Sequence, residues 1–212
     1  IIREEMDALG AQELFLTSLQ NPDVWKKSQR WSDKVIDIWF KTKLKNESEL
    51  GLANTHEEPL TELMKSHVHA WRDLPVSGYQ MQTKFRNELR AKSGIMRTRE
   101  FIMKDLYSFC RDEKEHQKFY EKVKQAYLKI FDRVGLREVT YVTAASGGSF
   151  SKYSHEFQTL CDAGEDIIYI DEEKGIAVNE EIIDDKDLGY DKLKLKKAKA
   201  VEVGNIFTLG TK

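Results

Sequence analysis

Arginines, acids and aromatic residues are interleaved in the segment FRNELRAKSGIMRTREFIMKD, residues 85–105. Arg86 and Glu88 are two positions apart, so in a strand both side chains project from one face. A guanidinium can bind two phosphate oxygens at any working pH, and a fixed cation stabilises the negative charge that an attacked phosphate gains. Phe101 offers a ring on which an adenine can stack. These residue types fit a site for a polyanionic ligand with an aromatic head, such as ATP.

The alternation of side chains predicts two strands, at 79–89 and 97–109, connected by residues 91–96 around Gly94. The polar face of the first strand carries Gln80, Gln82, Lys84, Arg86 and Glu88. One face of the second strand carries Arg97, Arg99, Phe101, Met103 and Asp105. A surface hairpin with cross-strand ion pairs, each worth little, has the same spacing. Spacing alone leaves the ligand site and the surface hairpin equally open.

The sequence pattern of the rest of the chain predicts helices that alternate with strands. One helix is predicted to start at Glu58, where Pro59 suits the first turn, and to carry an apolar stripe as far as Trp71. Another is predicted between Asp112, which resembles a capping residue, and Gly135. Strands are predicted at 35–41, 49–54, 138–144, 155–160, 166–170 and 200–210, a short helix at 177–183, and a solvated connector at 184–200. This order indicates an α+β fold with a mostly antiparallel sheet.

The composition is that of a globular protein. Of 212 residues, 40% are hydrophobic and 33% are charged, which is enough apolar material for a sizeable core. Lys and Arg number 34 against 36 Asp and Glu, so net charge argues neither for nor against nucleic acid. Cys110 and Cys161 suit a reducing cytosol or organelle matrix. No run approaches the ~18 apolar residues of a membrane span, so we expect no membrane partner.

The histidines do not predict a metal site. His56 and Glu57 begin an HExxH pattern, but residue 60 is leucine, and His67 and His69 diverge on a helix. We therefore expect no structural zinc, and we interpret these histidines as surface or helix-start residues.

Several polar residues elsewhere have more than one interpretation. Thr55 and Glu57, at a helix entrance, can either cap the helix or receive a small ammonium group. His155 has no evident serine or cysteine partner for a role as a general base, and the preceding Gly/Ser-rich loop lacks the phosphate-loop pattern. The lysines of the connector can touch RNA phosphates or lie in solvent.

Several motifs, taken in order, resemble one family. FRNE followed by MRTREFIMKDLYSF is similar to motif 2 of the class II aminoacyl-tRNA synthetases. The stretches NTHEE, QMQTKFRNE, RTREF, SHEF, AGED and VEVGNIFTLGTK resemble the prolyl-tRNA synthetases in their bacterial or organellar form. The resemblance implies the class II catalytic core, a mostly antiparallel sheet flanked by helices. It favours the ligand site over the surface hairpin at residues 79–109.

The resemblance also implies a ligase reaction in translation, in which ATP and L-proline give prolyl-adenylate and the prolyl group passes to tRNA(Pro). It implies Mg²⁺ bound with ATP, a homodimer in the full-length protein, and a bacterial cytoplasm or an organelle matrix. It implies that Arg86 is the catalytic residue. The implied ATP-binding residues are Arg86, Glu88, Arg97, Thr98, Phe101 and, near the Mg²⁺, Glu202. The implied proline-binding residues are Thr55, Glu57, Arg86, Met103, His155 and Phe157.

The sequence departs from the family pattern in places. Thr17 stands where motif 1 carries a proline, which weakens the expectation of the usual dimer geometry. Residues 182–198 form a short linker where an editing insertion would lie. Residues 1–212 are therefore expected to be one incomplete catalytic domain, with motif 1 partial, motif 2 present, and motif 3 and the anticodon-binding domain outside it. We expect such a piece to activate proline poorly or not at all.

Two alternatives remain at this point. One is a threonyl- or seryl-type class II synthetase, which shares motif 2. The other is a synthetase-like binding module without catalytic activity, although retention of FRNE and TREF argues against it.

Overall fold

The computed structural model describes residues 1–89, 91, 94–148 and 150–211. The chain divides into two compact units. We call Met6–Gln117 the hairpin unit, and Ile1–Glu5 with Lys118–Lys212 the barrel unit. The helices α1 (Ile2–Ala8) and α4 (Glu113–Arg133) each have residues in both.

The hairpin unit contains two sheets and two short helices. The sheet β1-β5-β6 consists of β1 (Gln12–Glu13), β5 (Val76–Phe85) and β6 (Glu100–Phe109). The sheet β2-β4-β3 consists of β2 (Leu19–Gln20), β4 (Glu49–Leu52) and β3 (Phe40–Lys43). The helices are α2 (Pro22–Lys27) and α3 (Glu57–Lys65). β1 runs parallel to β5, and the other pairs are antiparallel.

The predicted hairpin is formed by β5 and β6, with the predicted faces. Lys84 lies opposite Phe101, Gln82 opposite Met103, and Gln80 opposite Asp105, so these six side chains share one face. The first strand begins and ends earlier than predicted, so Arg86 and Glu88 follow β5, and the second begins later than predicted, so Arg97 and Arg99 precede β6. Lys92 and Ser93, within the predicted connection 91–96, lie outside the described residues.

The polar face of this hairpin is buried. Gln80, Gln82 and Lys84 are 2%, 6% and 0% exposed. The surface-hairpin interpretation of this face is therefore wrong. Burial of so many polar groups requires partners, because an unpaired buried polar group costs free energy.

Other predictions for the hairpin unit need correction. The predicted strand at 35–41 is mostly a turn, and β3 begins only at Phe40. The Trp39 ring is buried there against the rings of Trp25 and Trp31, at 4.9 and 5.1 Å between centroids. α3 begins one residue earlier than predicted, at Glu57, and ends at Lys65. Trp71, expected on its apolar stripe, lies beyond the helix and is exposed.

The barrel unit closes its strands in the order β10-β7-β8-β11-β9. These are β7 (Thr140–Ser146), β8 (Tyr153–Leu160), β9 (Asp166–Asp171), β10 (Ile176–Asn179) and β11 (Lys196–Ile206). Only the β10–β7 pairing is parallel among the described ladders of this barrel. Within the unit, the Tyr127 ring of α4 stacks on the Phe157 ring of β8, with 4.7 Å between centroids.

Two predictions for the barrel unit are wrong. Residues 177–183, predicted as a short helix, contain strand β10, because Ala177 and Val178 are buried in the barrel. The predicted solvated connector at 184–200 is only partly solvated. Leu188, Tyr190 and Leu195 pack against a buried cluster of Tyr169, Val178 and Ile183, and residues from Lys196 onward belong to β11.

Within the part of the chain that the structure describes, no helix has the length and apolar character needed to cross a membrane.

Candidate active site

Arg86 directly follows β5 and lies beside Phe101. Its backbone N–H donates to the Arg99 carbonyl at 2.9 Å, which extends the hairpin ladder beyond the strand. Its guanidinium carbon lies 5.5 Å from the centroid of the Phe101 ring, within cation–π range. Its Nε donates to the Asn54 carbonyl at 3.3 Å. The two residues predicted to hold a phosphate and an adenine therefore lie side by side.

The other ATP-binding candidates of the hairpin lie where β5 has ended and β6 has not yet begun. Arg97 Nη1 is 3.7 Å from Glu88 Oε2, and both side chains are partly exposed. The Thr98 hydroxyl donates to the Glu100 carbonyl at 2.7 Å. Met103 is half-buried on the same face as Phe101.

The segment Ala53–Glu57 is attached to the hairpin by its backbone. The Phe85 N–H donates to the Ala53 carbonyl at 2.7 Å, and Arg86 binds the next carbonyl as described. Gln20 Nε2 donates to the Thr55 carbonyl at 3.0 Å. The Asn54 carbonyl, which directly precedes Thr55 in the chain, is thereby held against Arg86 Nε.

Thr55 and Glu57 form a pair at the start of α3. The Thr55 hydroxyl donates to Glu57 Oε1 at 2.5 Å. The N-cap residue is His56, without a side-chain cap bond, so the alternative that Thr55 caps the helix is wrong.

Two carboxylates and one guanidinium lie together at the start of α3. Arg30 Nη1 is shared between Glu57 at 3.2 Å and Glu58 at 2.8 Å. Both carboxylates lie in the first helical turn, where the helix dipole favours negative charge. Because one guanidinium is shared between two carboxylates, negative charge remains on this pair, and Glu57 can accept a further cationic group. That Thr55 and Glu57 receive an ammonium group stays a prediction.

A buried polar network lies beneath this pair. Lys84 Nζ is 2.9 Å from Asp105 Oδ1 and 2.5 Å from His56 Nδ1. The Tyr107 hydroxyl and Gln80 Nε2 also donate to Asp105, at 2.8 and 3.0 Å. His56 lies at the start of α3 as predicted, but it is 0% exposed, so its interpretation as a surface residue is wrong.

The environment of this network shifts its pKa values. Burial lowers the pKa of the Lys84 ammonium, and the charge of Asp105 opposes that shift. Burial and the charge of Lys84 lower the pKa of His56. Burial raises the pKa of the Tyr107 hydroxyl well above its usual value. The Lys84 ammonium thus contacts the Asp105 carboxylate, and the shifts favour the neutral forms of His56 and Tyr107 beside it.

Sequence reasoning missed the roles of His56, Lys84 and Tyr107. A signal for Lys84 was present, because it shares a predicted face with Gln80 and Asp105. No local pattern indicated that this face is covered.

The three remaining candidates belong to the barrel unit. His155 Nδ1 is 2.9 Å from the Tyr120 hydroxyl, and burial lowers the pKa of this imidazole. Phe157 is fully buried between Tyr127 and Phe131. Glu202 is exposed on β11, opposite Gln158 and next to an irregularity in the ladder. The predicted ligand contacts of these three residues stay predictions.

No cluster of three or more His, Cys, Asp or Glu side chains suited to a metal ion occurs among the residues that the structure describes.

Comparison with known proteins identifies the family. Residues 40–212 match the model of the tRNA synthetase class II core domain (G, H, P, S and T). A proline–tRNA ligase of Synechococcus sp. (strain CC9311) is 45% identical over 183 residues, which are 85% of this chain and 30% of that protein. One from Anaplasma phagocytophilum (strain HZ) is 38% identical over 225 residues, covering 99% of this chain and 52% of that protein.

Solved structures share the fold. A Giardia lamblia prolyl-tRNA synthetase in complex with prolyl-adenylate superposes with a TM-score of 0.67 at 16% identity, covering 77% of this chain and 34% of that chain. One from Cryptosporidium parvum, complexed with halofuginone and AMPPNP, has a TM-score of 0.65 at 13% identity, covering 75% and 34%. The chain thus spans about a third to a half of the length of such proteins. It belongs to the family of class II tRNA synthetase core domains.

Proposed function

We propose that this chain carries the catalytic core of a prolyl-tRNA synthetase, which activates L-proline with ATP and transfers it to tRNA(Pro). The choice of proline is supported by the curated relatives, which are proline–tRNA ligases. The observation that carries the proposal is the position of Arg86. Its guanidinium is bound to the Asn54 carbonyl and lies next to the Phe101 ring, so it joins the segment of Thr55 and Glu57 to the adenine-binding candidate.

The proposed chemistry needs no protein nucleophile. A carboxylate oxygen of proline attacks the α-phosphorus of ATP, and pyrophosphate leaves in line. In a second step the 3′ end of the tRNA takes the prolyl group, and AMP leaves. Such displacements depend on positioning and on stabilisation of the developing charge.

Each candidate residue of the hairpin unit has a role in this scheme. Arg86 binds the α-phosphate and the proline carboxylate, where a fixed guanidinium stabilises the extra negative charge of the transition state. Glu57 accepts the imino group of proline, and Thr55 holds the Glu57 carboxylate through its 2.5 Å hydrogen bond. Phe101 stacks on the adenine. The remaining contacts to ATP and to the proline ring come from Glu88, Arg97, Thr98 and Met103.

The residues of the barrel unit enter the proposal through the resemblance alone. His155 and Phe157 are proposed to border the proline pocket, and Glu202 to accept the Mg²⁺ that accompanies ATP. An exposed carboxylate suits this hard cation, which would neutralise phosphate charge. We further propose a homodimer for the full-length protein, and a bacterial cytoplasm or an organelle matrix as its location.

The test is ATP–pyrophosphate exchange measured with each of the twenty amino acids, on the full-length protein and on the 212-residue chain. We expect exchange with proline in the full-length protein and little or none in the chain. Exchange with threonine or serine in place of proline would support a threonyl- or seryl-type enzyme. No exchange with any amino acid, together with unchanged ATP binding in Arg86→Ala, would support a non-catalytic module.

A further inference from the structure

A fully buried lysine is the most unusual group of the hairpin unit. Lys84 is 0% exposed, and its ammonium contacts Asp105 and His56 at 2.9 and 2.5 Å. Burial of an ammonium costs free energy, and a nearby carboxylate offsets that cost only in part. None of the roles assigned above requires a cation at this position.

The hydrogen bonds fix the direction of the contact with His56. His56 Nε2 lies 3.1 Å from the Thr17 carbonyl, which can only accept, so Nε2 carries the proton. Nδ1 of the neutral ring is then an acceptor, and the Lys84 ammonium donates to it. The imidazole is thereby held at both nitrogens.

His56 is also held through its backbone. Its N–H donates to the Tyr107 hydroxyl at 3.2 Å, and that hydroxyl donates to Asp105 at 2.8 Å. The same hydroxyl lies 3.4 Å from Glu57 Oε1. The residue between Thr55 and Glu57 is thus connected to Lys84 by two routes, one through its ring and one through Tyr107 and Asp105.

We propose that Lys84 is a positioning residue, which fixes Thr55 and Glu57 for the substrate imino group by holding His56 and Asp105. The inference rests on the proposed function, because it assigns to Lys84 a part in binding the amino-acid substrate. The inference implies that the binding groups for the two substrates are held in position by different contacts. The Arg86–Phe101 side is held by the strand ladder, whereas the Thr55–Glu57 side is held by the buried network.

The kinetic test uses proline-dependent exchange in the full-length protein. We expect Lys84→Met to raise the KM for proline at least about tenfold, because small misplacements of a binding group are costly, and to leave the KM for ATP within about twofold. Tyr107→Phe, which removes only one hydroxyl, is expected to raise the KM for proline about fivefold. Lys104→Met, from the opposite face of the same hairpin, is the matched control and is expected to change neither KM.

A folding defect is separated from a positioning defect by a second variant. Lys84→Met with Asp105→Asn removes both buried charges and leaves no unpaired one. We expect it to melt at a higher temperature than Lys84→Met while keeping the raised KM for proline. A wild-type KM for proline in this double variant, or equal changes of both KM values in Tyr107→Phe, would overturn the proposal.

A spectroscopic test does not depend on activity. The groups that face His56 are Lys84 on β5, Asp105 and Tyr107 on β6, and Glu57 on α3. In ¹⁵N spectra of the 212-residue chain, we expect His56 to remain the neutral Nε2–H tautomer between pH 6 and 8. In Lys84→Met we expect the pKa of His56 to be higher than in wild type, because burial still lowers it but Asp105 and Glu57 then act on it without the opposing charge of Lys84. A His56 signal identical in both proteins would contradict the contact, whether or not the enzyme activates proline.

Discussion

Both units bury polar side chains on their strands, but they balance charge differently. In the hairpin unit, Asp105 is paired with the ammonium of Lys84. In the barrel unit, the half-buried and buried acids Asp166 and Glu156 are held by amides. Gln158 Nε2 donates to both at 2.9 Å, and Asn179 Nδ2 donates to Glu156 at 3.1 Å.

This difference has a physical consequence for pH. Burial raises the pKa of Glu156, because amides compensate the loss of water only in part. In the hairpin unit, burial lowers the pKa of the Lys84 ammonium, and the charge of Asp105 opposes that shift.

The largest expected effect comes from breaking the ion pair. Asp105→Ala leaves Lys84 buried without its carboxylate, and we expect it to lower the free energy of unfolding by about 4 kcal/mol. Asp33→Ala is the matched control. It breaks an ion pair with Lys41 in which the Asp33 side chain is 71% exposed, so we expect a loss of at most about 1 kcal/mol. Urea denaturation measures both, and equal losses would show that the buried pair has no special importance.

The next effect tests two aromatic candidates against each other. Phe157 is fully buried and stacked on Tyr127, so Phe157→Ala is expected to lower the free energy of unfolding by about 3 to 4 kcal/mol. A loss under about 1 kcal/mol, with a raised KM for proline, would instead indicate a residue that borders the substrate.

Phe101 is expected to behave in the opposite way. It is half-buried beside Arg86, so Phe101→Ala is expected to raise the KM for ATP about tenfold, while the melting temperature changes little. Exchange kinetics and a thermal melt on the same preparation measure both quantities. A large fall in melting temperature with an unchanged KM for ATP would make Phe101 a core residue.

The smallest effect concerns Glu156 and pH. Because its pKa is raised in the folded protein, the carboxyl favours folding at low pH, and this contribution is lost as pH rises through the folded pKa. Glu156→Gln should therefore unfold at the same or higher urea concentration than wild type at pH 7, by no more than about 1 kcal/mol. The difference should shrink towards pH 4. A Glu156→Gln protein that is less stable at pH 7 would contradict this assignment.

The sequence predicted correctly which side chains share the polar face of the hairpin. It did not predict which residues cover that face. Alternation placed Lys84 with Phe101 and Asp105 correctly, because the period of a strand is fixed by its geometry. It could not show that this face is buried, since the covering residues, His56 among them, come from other parts of the chain.

The local pattern misled at residues 35–41 for a related reason. Residues 35–41 alternate as a strand would, yet Trp39 packs on Trp25 and Trp31 from within a turn. Gly51 permits this arrangement, because a Cβ there would lie 2.7 Å from the Trp39 ring. Such contacts between distant residues are not encoded in the local pattern.

The measurement that tests the central claim most directly is proline-dependent ATP–pyrophosphate exchange by Arg86→Ala in the full-length protein. Arg72→Ala serves as control, because Arg72 is exposed in the short turn Trp71–Asp73. We predict that Arg86→Ala lowers kcat/KM by about 100-fold or more, with a melting temperature close to that of wild type, while Arg72→Ala retains full activity. A folded Arg86→Ala protein with activity within about threefold of wild type would contradict the assignment of Arg86 to the reacting phosphate.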